Sequence, residues 1–174
     1  MGIQFETDYN METLTAMAKS LRKTVRKKRS RRVHIFAAVV LILGLLTILA
    51  TTAGGEALGA SGVVTLLAML VVILVSLFED RLNAWFARRR LLPGTEHAAA
   101  TFEEDGYVSA TGVTESRFSY AQIVAVAETA RYFVFALSSH HTQAYDKRTI
   151  RGGSVEDFRA FIAEKTGKLV ENIK

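Results

Sequence analysis

Two long apolar runs dominate the hydrophobic pattern of this 174-residue chain. The first covers Val33–Thr52 and the second extends from about Leu58 to Phe78, and Glu56 is the one charged residue between Val33 and Phe78. About 20 apolar residues, each rising ~1.5 Å, are enough to span the ~30 Å hydrocarbon core of a bilayer as a helix. The pattern therefore predicts a two-helix transmembrane hairpin, with spans over about 33–52 and 58–78.

The segment before the hairpin, residues 1–32, shows two further patterns. Apolar and polar side chains alternate over residues 2–7, which predicts a short strand with one buried face. Asp8 or Asn10 is placed to cap a following helix, whose apolar stripe includes Leu14 and Leu21. We expect that stripe to pack on the soluble domain or to lie on the bilayer surface, and the helix to continue into the first span.

The segment after the hairpin reads as a small α+β domain over residues 95–174. We expect the helix of the second span to continue through Phe86 and to stop at Pro93-Gly94. Runs typical of strands then follow, at 98–102, 107–111, 114–118, 123–129, 132–137 and 143–145. Ser154, with Asp157 three positions later, predicts the start of a terminal helix, and Gly167 predicts its end.

Together these patterns predict the fold class membrane α+β. A transmembrane hairpin over 33–90 joins an N-terminal arm over 1–32 to a cytoplasmic antiparallel β-barrel or strongly curved sheet, which the C-terminal helix caps. The N-terminal strand is free to join the same sheet, because both ends of a hairpin lie on one side of the membrane. Phe133, Phe135, Phe158 and Phe161 are expected in the core.

Charge predicts the orientation of the hairpin. Residues 1–32 carry nine basic and three acidic side chains, and the loop over 53–61 has no Lys or Arg. Basic flanks stay on the cytoplasmic side, so both termini are predicted to be cytoplasmic. The residues assigned to topology and to contacts with anionic lipid headgroups are Arg26, Lys27, Lys28, Arg29, Arg31, Arg32, Arg88, Arg89 and Arg90.

Two aromatic residues, Trp85 and Phe86, follow the second span and are predicted as anchors at the membrane interface. A nucleic-acid role for the basic arm is disfavoured, because no aromatic residue is interleaved with its charges. The chain has no cysteine, which excludes disulfides and thiolate metal sites.

No catalytic, cofactor-binding or metal-binding constellation is evident in the sequence. His140-His141 lacks an acidic or Cys neighbour at ligand spacing and is interpreted as part of a solvated loop. Lys147, Arg148 and Arg151 are interpreted as a solvated basic face, with headgroups or an acidic partner as the alternative. Nucleophile-elbow, P-loop and dinucleotide motifs are absent from the sequence, so we predict no enzyme.

Three segments of the tail resemble the YcxB-like family of bacterial membrane proteins. They are residues 102–107 (FEEDGY), residues 118–129 followed by Tyr132-Phe133, and residues 145–148 (YDKR) followed by Phe158. The chain departs from the family pattern at Tyr120, where Trp is common, and at Asp146, where Pro is common. The resemblance implies a pleckstrin-homology-like barrel in a bacterial inner-membrane protein, and it implies no defined biochemical role.

These observations favour a non-enzymatic membrane protein whose cytoplasmic domain is a tethered binding or scaffolding module, for example in an accessory subunit of a membrane complex. Its expected partners are anionic membrane lipids and a protein partner or a second copy in the membrane, without nucleic acid. The alternative is a small transport or channel protein built from oligomerised hairpins. Gly44, Thr47, Thr65 and Ser76 are the few residues available to line its pore. A membrane-bound enzyme using His140, His141 and Lys147 is a third hypothesis.

Overall fold

The computed structural model describes residues 2–54 and 59–173. Its helices are α1 (Met11–Lys23), α2 (Lys27–Ala53), α3 (Ala60–Leu77), α4 (Glu79–Arg89) and α5 (Val155–Thr166). Its strands are β1 (Ile3–Asp8), β2 (His97–Phe102), β3 (Tyr107–Thr111), β4 (Glu115–Phe118), β5 (Ala125–Glu128), β6 (Tyr132–Ala136), β7 (Thr142–Asp146) and β8 (Val170–Asn172).

Helices α2 and α3 are long and apolar enough to cross a membrane, and their side chains are exposed along the whole of both apolar segments. They pack on each other at Gly44, where a Cβ atom would lie 2.8 Å from the Met69 sulfur. Two candidate membrane-spanning helices are therefore present. The predicted start of the second span at Leu58, Glu56 and most of the connecting loop lie outside the described residues.

The strands form two four-stranded sheets. The first has the order β1-β2-β3-β4 and is antiparallel throughout, so the N-terminal strand joins the sheet of the C-terminal segment, as expected. The second has the order β7-β6-β5-β8, with β5 and β8 parallel. The predicted barrel does not close among the described strands.

Polar side chains, rather than a strand-to-strand ladder, join the two sheets at β1 and β7. The Asp146 amide donates to the Thr7 hydroxyl at 3.0 Å, and the Thr149 hydroxyl donates to the Glu6 carbonyl at 2.7 Å. The Thr149 hydroxyl occupies the Glu6 amide and carbonyl of β1, and the Thr7 hydroxyl occupies the Asp146 amide of β7, so side chains replace ladder hydrogen bonds at these positions. One backbone pair, Gln4 with Arg151, continues the contact beyond β7.

An aromatic core lies between the sheets and α5. Phe5, Phe102, Phe135 and Phe158 are at most 1% exposed, and the Phe158 ring lies 4.7 Å from that of Phe5. Phe133 is also fully buried, whereas Phe161 is partly buried at the edge of the core. The core therefore depends on both ends of the chain, because Phe5 comes from β1 and Phe158 from α5.

Helix α1 packs on the protein, which decides between the two locations considered for its apolar stripe. Its N-terminal cap is Asn10, and its buried side chains include Leu14 and Leu21, which face α4 and the second sheet. The expected continuation into the first span is wrong, because α1 ends at Lys23 and α2 begins at Lys27. Thr24 is the break: its φ of −102° and ψ of −92° are not helical, and its hydroxyl donates to the Ser20 carbonyl.

The continuous helix that contains the second span is also shorter than expected. Helix α3 ends at Leu77, Phe78 interrupts it, and α4 is a separate helix that stops four residues before Pro93. At the C-terminal end, the predicted capping box of Ser154 and Asp157 and the left-handed stop at Gly167, with φ +63°, are confirmed. Strand β8 follows and was not predicted.

Candidate functional site

A cleft lies where α1, α2 and α4 meet the loop between β6 and β7. Its volume is about 630 Å³. Its apolar wall consists mainly of Leu14, Met17, Leu21, Val33 and Phe86. Its charged lining consists of Arg22, Arg26, Arg29, Arg90 and Glu79. The cleft therefore combines an apolar surface with an excess of guanidinium groups at the base of the candidate membrane spans.

One ion pair joins α1 to α4 beside this cleft. The Arg22 guanidinium donates to both Asp80 carboxylate oxygens, at 2.7 and 2.6 Å, and Glu79 lies 3.8 Å away. The hydrogen bonds that Arg22 donates to Asp80 raise the pKa of Arg22. A bidentate pair of this kind fixes both distance and orientation between the two helices.

A second contact joins the start of α2 to the second sheet. The Arg26 guanidinium donates to the Ser139 carbonyl at 2.6 Å and to His140 Nδ1 at 2.9 Å. Because a guanidinium group has no acceptor, Nδ1 of His140 is the acceptor in this contact. The loop between β6 and β7 is therefore held against the base of α2.

The nine basic residues predicted for topology and headgroup contacts fall into two groups. Arg26, Arg29 and Arg90 line the cleft. The others are exposed residues outside its lining, namely Lys27, Lys28, Arg31, Arg32, Arg88 and Arg89. Charge alone could not separate the groups in the sequence, because members of both are neighbours along the same helices.

The two predicted interface anchors, Trp85 and Phe86, form one aromatic pair on α4. Their ring centroids lie 5.0 Å apart in an edge-to-face arrangement, and the Arg89 guanidinium stacks 3.7 Å over the Trp85 ring. Trp85 is 40% exposed and Phe86 is 51% exposed. The pair presents apolar rings and a cation together, a combination suited to the headgroup level of a bilayer.

The basic group at 147–151 is solvated in part. The side chains of Arg148 and Arg151 are 65% and 69% exposed, as expected for a solvated face, whereas that of Lys147 is 14% exposed. Lys147 donates to the buried Glu128 carboxylate at 2.9 Å, and Arg148 pairs with Asp146 at 3.0 Å.

Arg159 of α5 also donates to Glu128, at 2.6 and 2.8 Å. Lys147 and Arg159 hold the pKa of Glu128 at about 2, with the Arg159 hydrogen bond as the largest cause. The sequence analysis missed this cluster, because Lys147 and Arg159 lie 19 and 31 positions from Glu128.

The motif residues that resemble a known family have structural roles in the β2–β3 turn. The Glu103 amide donates to the Gly106 carbonyl at 2.9 Å, which closes the turn. The Tyr120 hydroxyl lies 2.5 Å from the Glu103 carbonyl and 3.0 Å from the Gly106 carbonyl, and burial raises its pKa. A Cβ atom at Gly106 would lie 2.5 Å from the Phe118 carbonyl, so glycine is required there.

Comparison with known proteins identifies the same region. Residues 102–162, from the end of β2 into α5, match the family described as YcxB-like protein. No curated protein and no solved structure matches the chain. The chain therefore contains a YcxB-like domain, and two candidate membrane-spanning helices precede that domain.

Proposed function

We propose that this protein is a non-enzymatic, membrane-anchored module that holds its YcxB-like domain at a fixed position beside the bilayer, where it binds or scaffolds a partner. The membrane is the bacterial inner membrane, both termini are cytoplasmic, and the partner is a membrane protein complex or a second copy of the chain. Confinement near the membrane raises the effective concentration of the domain for such partners without any added contact.

The observation that carries this proposal is the docking of α1 on the rest of the protein. This helix packs on α4 and on the second sheet at once, and Arg22 pairs with Asp80 in a bidentate geometry. A loosely tethered domain would need neither contact. The docking of α1 therefore supports a function in which the position of the domain relative to the membrane matters.

A pleckstrin-homology-like fold is part of the proposal. Four antiparallel strands, a second sheet and a packed C-terminal helix support it, and the parallel strand β8 is an addition to that plan. The turn between β2 and β3 carries Glu103, Glu104 and Asp105, which would repel the phosphate of an inositol lipid. We therefore assign the domain a protein-binding role.

The test is cross-linking in native membranes, followed by gentle detergent extraction. We expect one membrane protein, or a second copy, to be recovered at a fixed stoichiometry with the wild-type chain. The variant Arg22→Gln/Asp80→Asn should reduce that recovery severalfold, whereas Arg29→Gln, on the same basic arm, should not. Recovery of the chain alone, or ion conductance by the purified protein in liposomes, would overturn the proposal.

A further inference from the structure

We propose that the cleft between α1, α2 and α4 binds one anionic phospholipid, with its phosphate held by Arg26, Arg29 and Arg90 and its acyl chain along the apolar wall. This inference rests on the membrane placement in the proposed function, and it adds a defined ligand site to that function. General attraction of basic residues to a membrane surface would require neither a cleft nor a particular subset of arginines.

The charge of the cleft favours an anion. Arg22 is paired with Asp80, and Arg26 donates to a backbone carbonyl and to an imidazole nitrogen. Within residues 2–54 and 59–173, the side chains of Arg29 and Arg90 have no hydrogen bond or ion pair and line the cleft. Glu79 is the one carboxylate in the lining, and it lies 3.8 Å from Arg22. Three guanidinium groups therefore face the cleft without an acidic partner.

The chemistry of these groups matches a phosphate. A guanidinium presents paired N–H donors in a plane, and this geometry fits two phosphate oxygens better than a single ammonium does. Arg26 is already held in place by Ser139 and His140, so its remaining donors are preorganised. Arg29 lies on α2 and Arg90 directly follows α4, so their guanidinium groups would contact the anion from two sides.

The apolar wall selects a lipid over a free phosphate. Val33 is the first residue of the predicted span, and it lines the same cleft as Met17, Leu21 and Phe86. The cleft is thus continuous with the surface of α2 that is exposed along the membrane-spanning segment. Its volume of about 630 Å³ lies within the range of ~300–1,000 Å³ for ligand pockets, which is enough for a headgroup and the first part of a chain.

The test is native mass spectrometry of the detergent-solubilised full chain with added phosphatidylglycerol or phosphatidylcholine. The cleft variant is Arg29→Gln/Arg90→Gln. The matched control is Arg31→Gln/Arg88→Gln, which removes the same charge from exposed positions of the same two helices outside the cleft lining. All four arginines lack a buried environment, so both variants should fold, and circular dichroism checks this.

We expect one phosphatidylglycerol per wild-type chain, retained in preference to phosphatidylcholine. The cleft variant should lose about tenfold or more in apparent affinity, because two charge-assisted contacts are removed, whereas the control should change by about twofold or less. Equal loss in both variants would show surface attraction only and would overturn the inference. Displacement of the lipid by equimolar inorganic phosphate would likewise overturn it, in favour of a free-anion site.

The two proposals can fail separately. Lipid binding is measured on the purified chain without a protein partner, so its failure leaves the cross-linking result unchanged. If the chain stays dispersed without detergent, the membrane placement itself is wrong and both proposals fall.

Discussion

Among the individual side chains, Glu128 is a buried carboxylate that contacts two distant parts of the chain. Glu128 is 6% exposed and accepts hydrogen bonds from Lys147, beyond β7, and from Arg159 of α5. It thereby joins the second sheet to the terminal helix. Removing one partner from a buried ion pair strongly destabilises the folded protein, because the remaining charges are left without compensation.

Replacing Glu128 should make the free energy of unfolding less dependent on pH in the acidic range. Its pKa in the folded protein, about 2, lies below the ordinary value of 4.5, so its contribution is complete above about pH 4.5 and is lost as the pH falls towards 2. We expect Glu128→Gln to lower the free energy of unfolding by about 2 kcal/mol at pH 7, a value reduced from the full shift because Arg159 is partly solvated.

Thermal unfolding by circular dichroism between pH 7 and pH 3 measures this effect. Glu104→Gln is the control, since Glu104 is 86% exposed and lies 3.4 Å from Lys165. The control should leave both the midpoint and its pH dependence unchanged. The assignment of Glu128 would be wrong if the Glu128→Gln variant lost stability between pH 4.5 and pH 3 as steeply as the wild type.

At the scale of elements, local patterns predicted the isolated parts well and their connections poorly. Strand β3 and the Ser154 capping box depend on neighbouring residues, so the sequence was sufficient to place them. The helix breaks at Thr24, where the backbone leaves the helical region, and β8 is a three-residue strand stabilised by pairing with β5. Such non-local pairing leaves no periodic signal in a single sequence.

The candidate site shows the same division. Charge identified Arg26, Arg29 and Arg90, but the cleft they line depends on how α1 docks on α4. The Arg22–Asp80 pair could have been suspected, because each residue lies just outside an apolar run on the same predicted side of the membrane. Its bidentate geometry required the structure.

Docking of α1 provides the prediction at this scale. We expect Arg22→Gln to accelerate amide hydrogen exchange across Met11–Lys23 about tenfold, because Asp80 loses both hydrogen bonds and α1 is released from α4 more often. Exchange in α5, which does not contact Arg22, should be unchanged. Asp80→Asn should have a similar effect, and the double variant should add little to either single change.

Hydrogen exchange with mass spectrometry measures these rates, and Arg29→Gln is the control on the same arm. If Arg22→Gln and Arg29→Gln give the same exchange in α1, the ion pair does not hold the helix. If exchange increases throughout the domain, the pair stabilises the whole fold and α1 is not a separate docking element.

At the scale of the whole molecule, the arrangement predicts which parts face which compartment. Sheet pairing of β1 with β2 requires both flanks of the hairpin to lie on one side of the membrane, in agreement with the basic residues at those flanks. The chain contains no cysteine, so each introduced cysteine is a unique label.

Three single-cysteine variants test this orientation: Lys28→Cys in the first turn of α2, Gly59→Cys before α3, and Glu104→Cys in the domain. A membrane-impermeant maleimide added to intact spheroplasts should label Gly59→Cys, where an added Cβ meets nothing within 4 Å. The other two should react only after lysis. Labelling of Glu104→Cys in intact spheroplasts would contradict a cytoplasmic domain.

The pairing of β1 with β2 also determines when, during synthesis, the fold can be completed. Strand β1 leaves the ribosome first, but its neighbour in the sheet emerges only after both apolar helices have been synthesised. Phe5 can therefore contact its partners in the core only after the nascent chain has passed through the insertion machinery. If a single helix entered the bilayer, β1 and β2 would lie in opposite compartments and could not pair, so the aromatic core would not form.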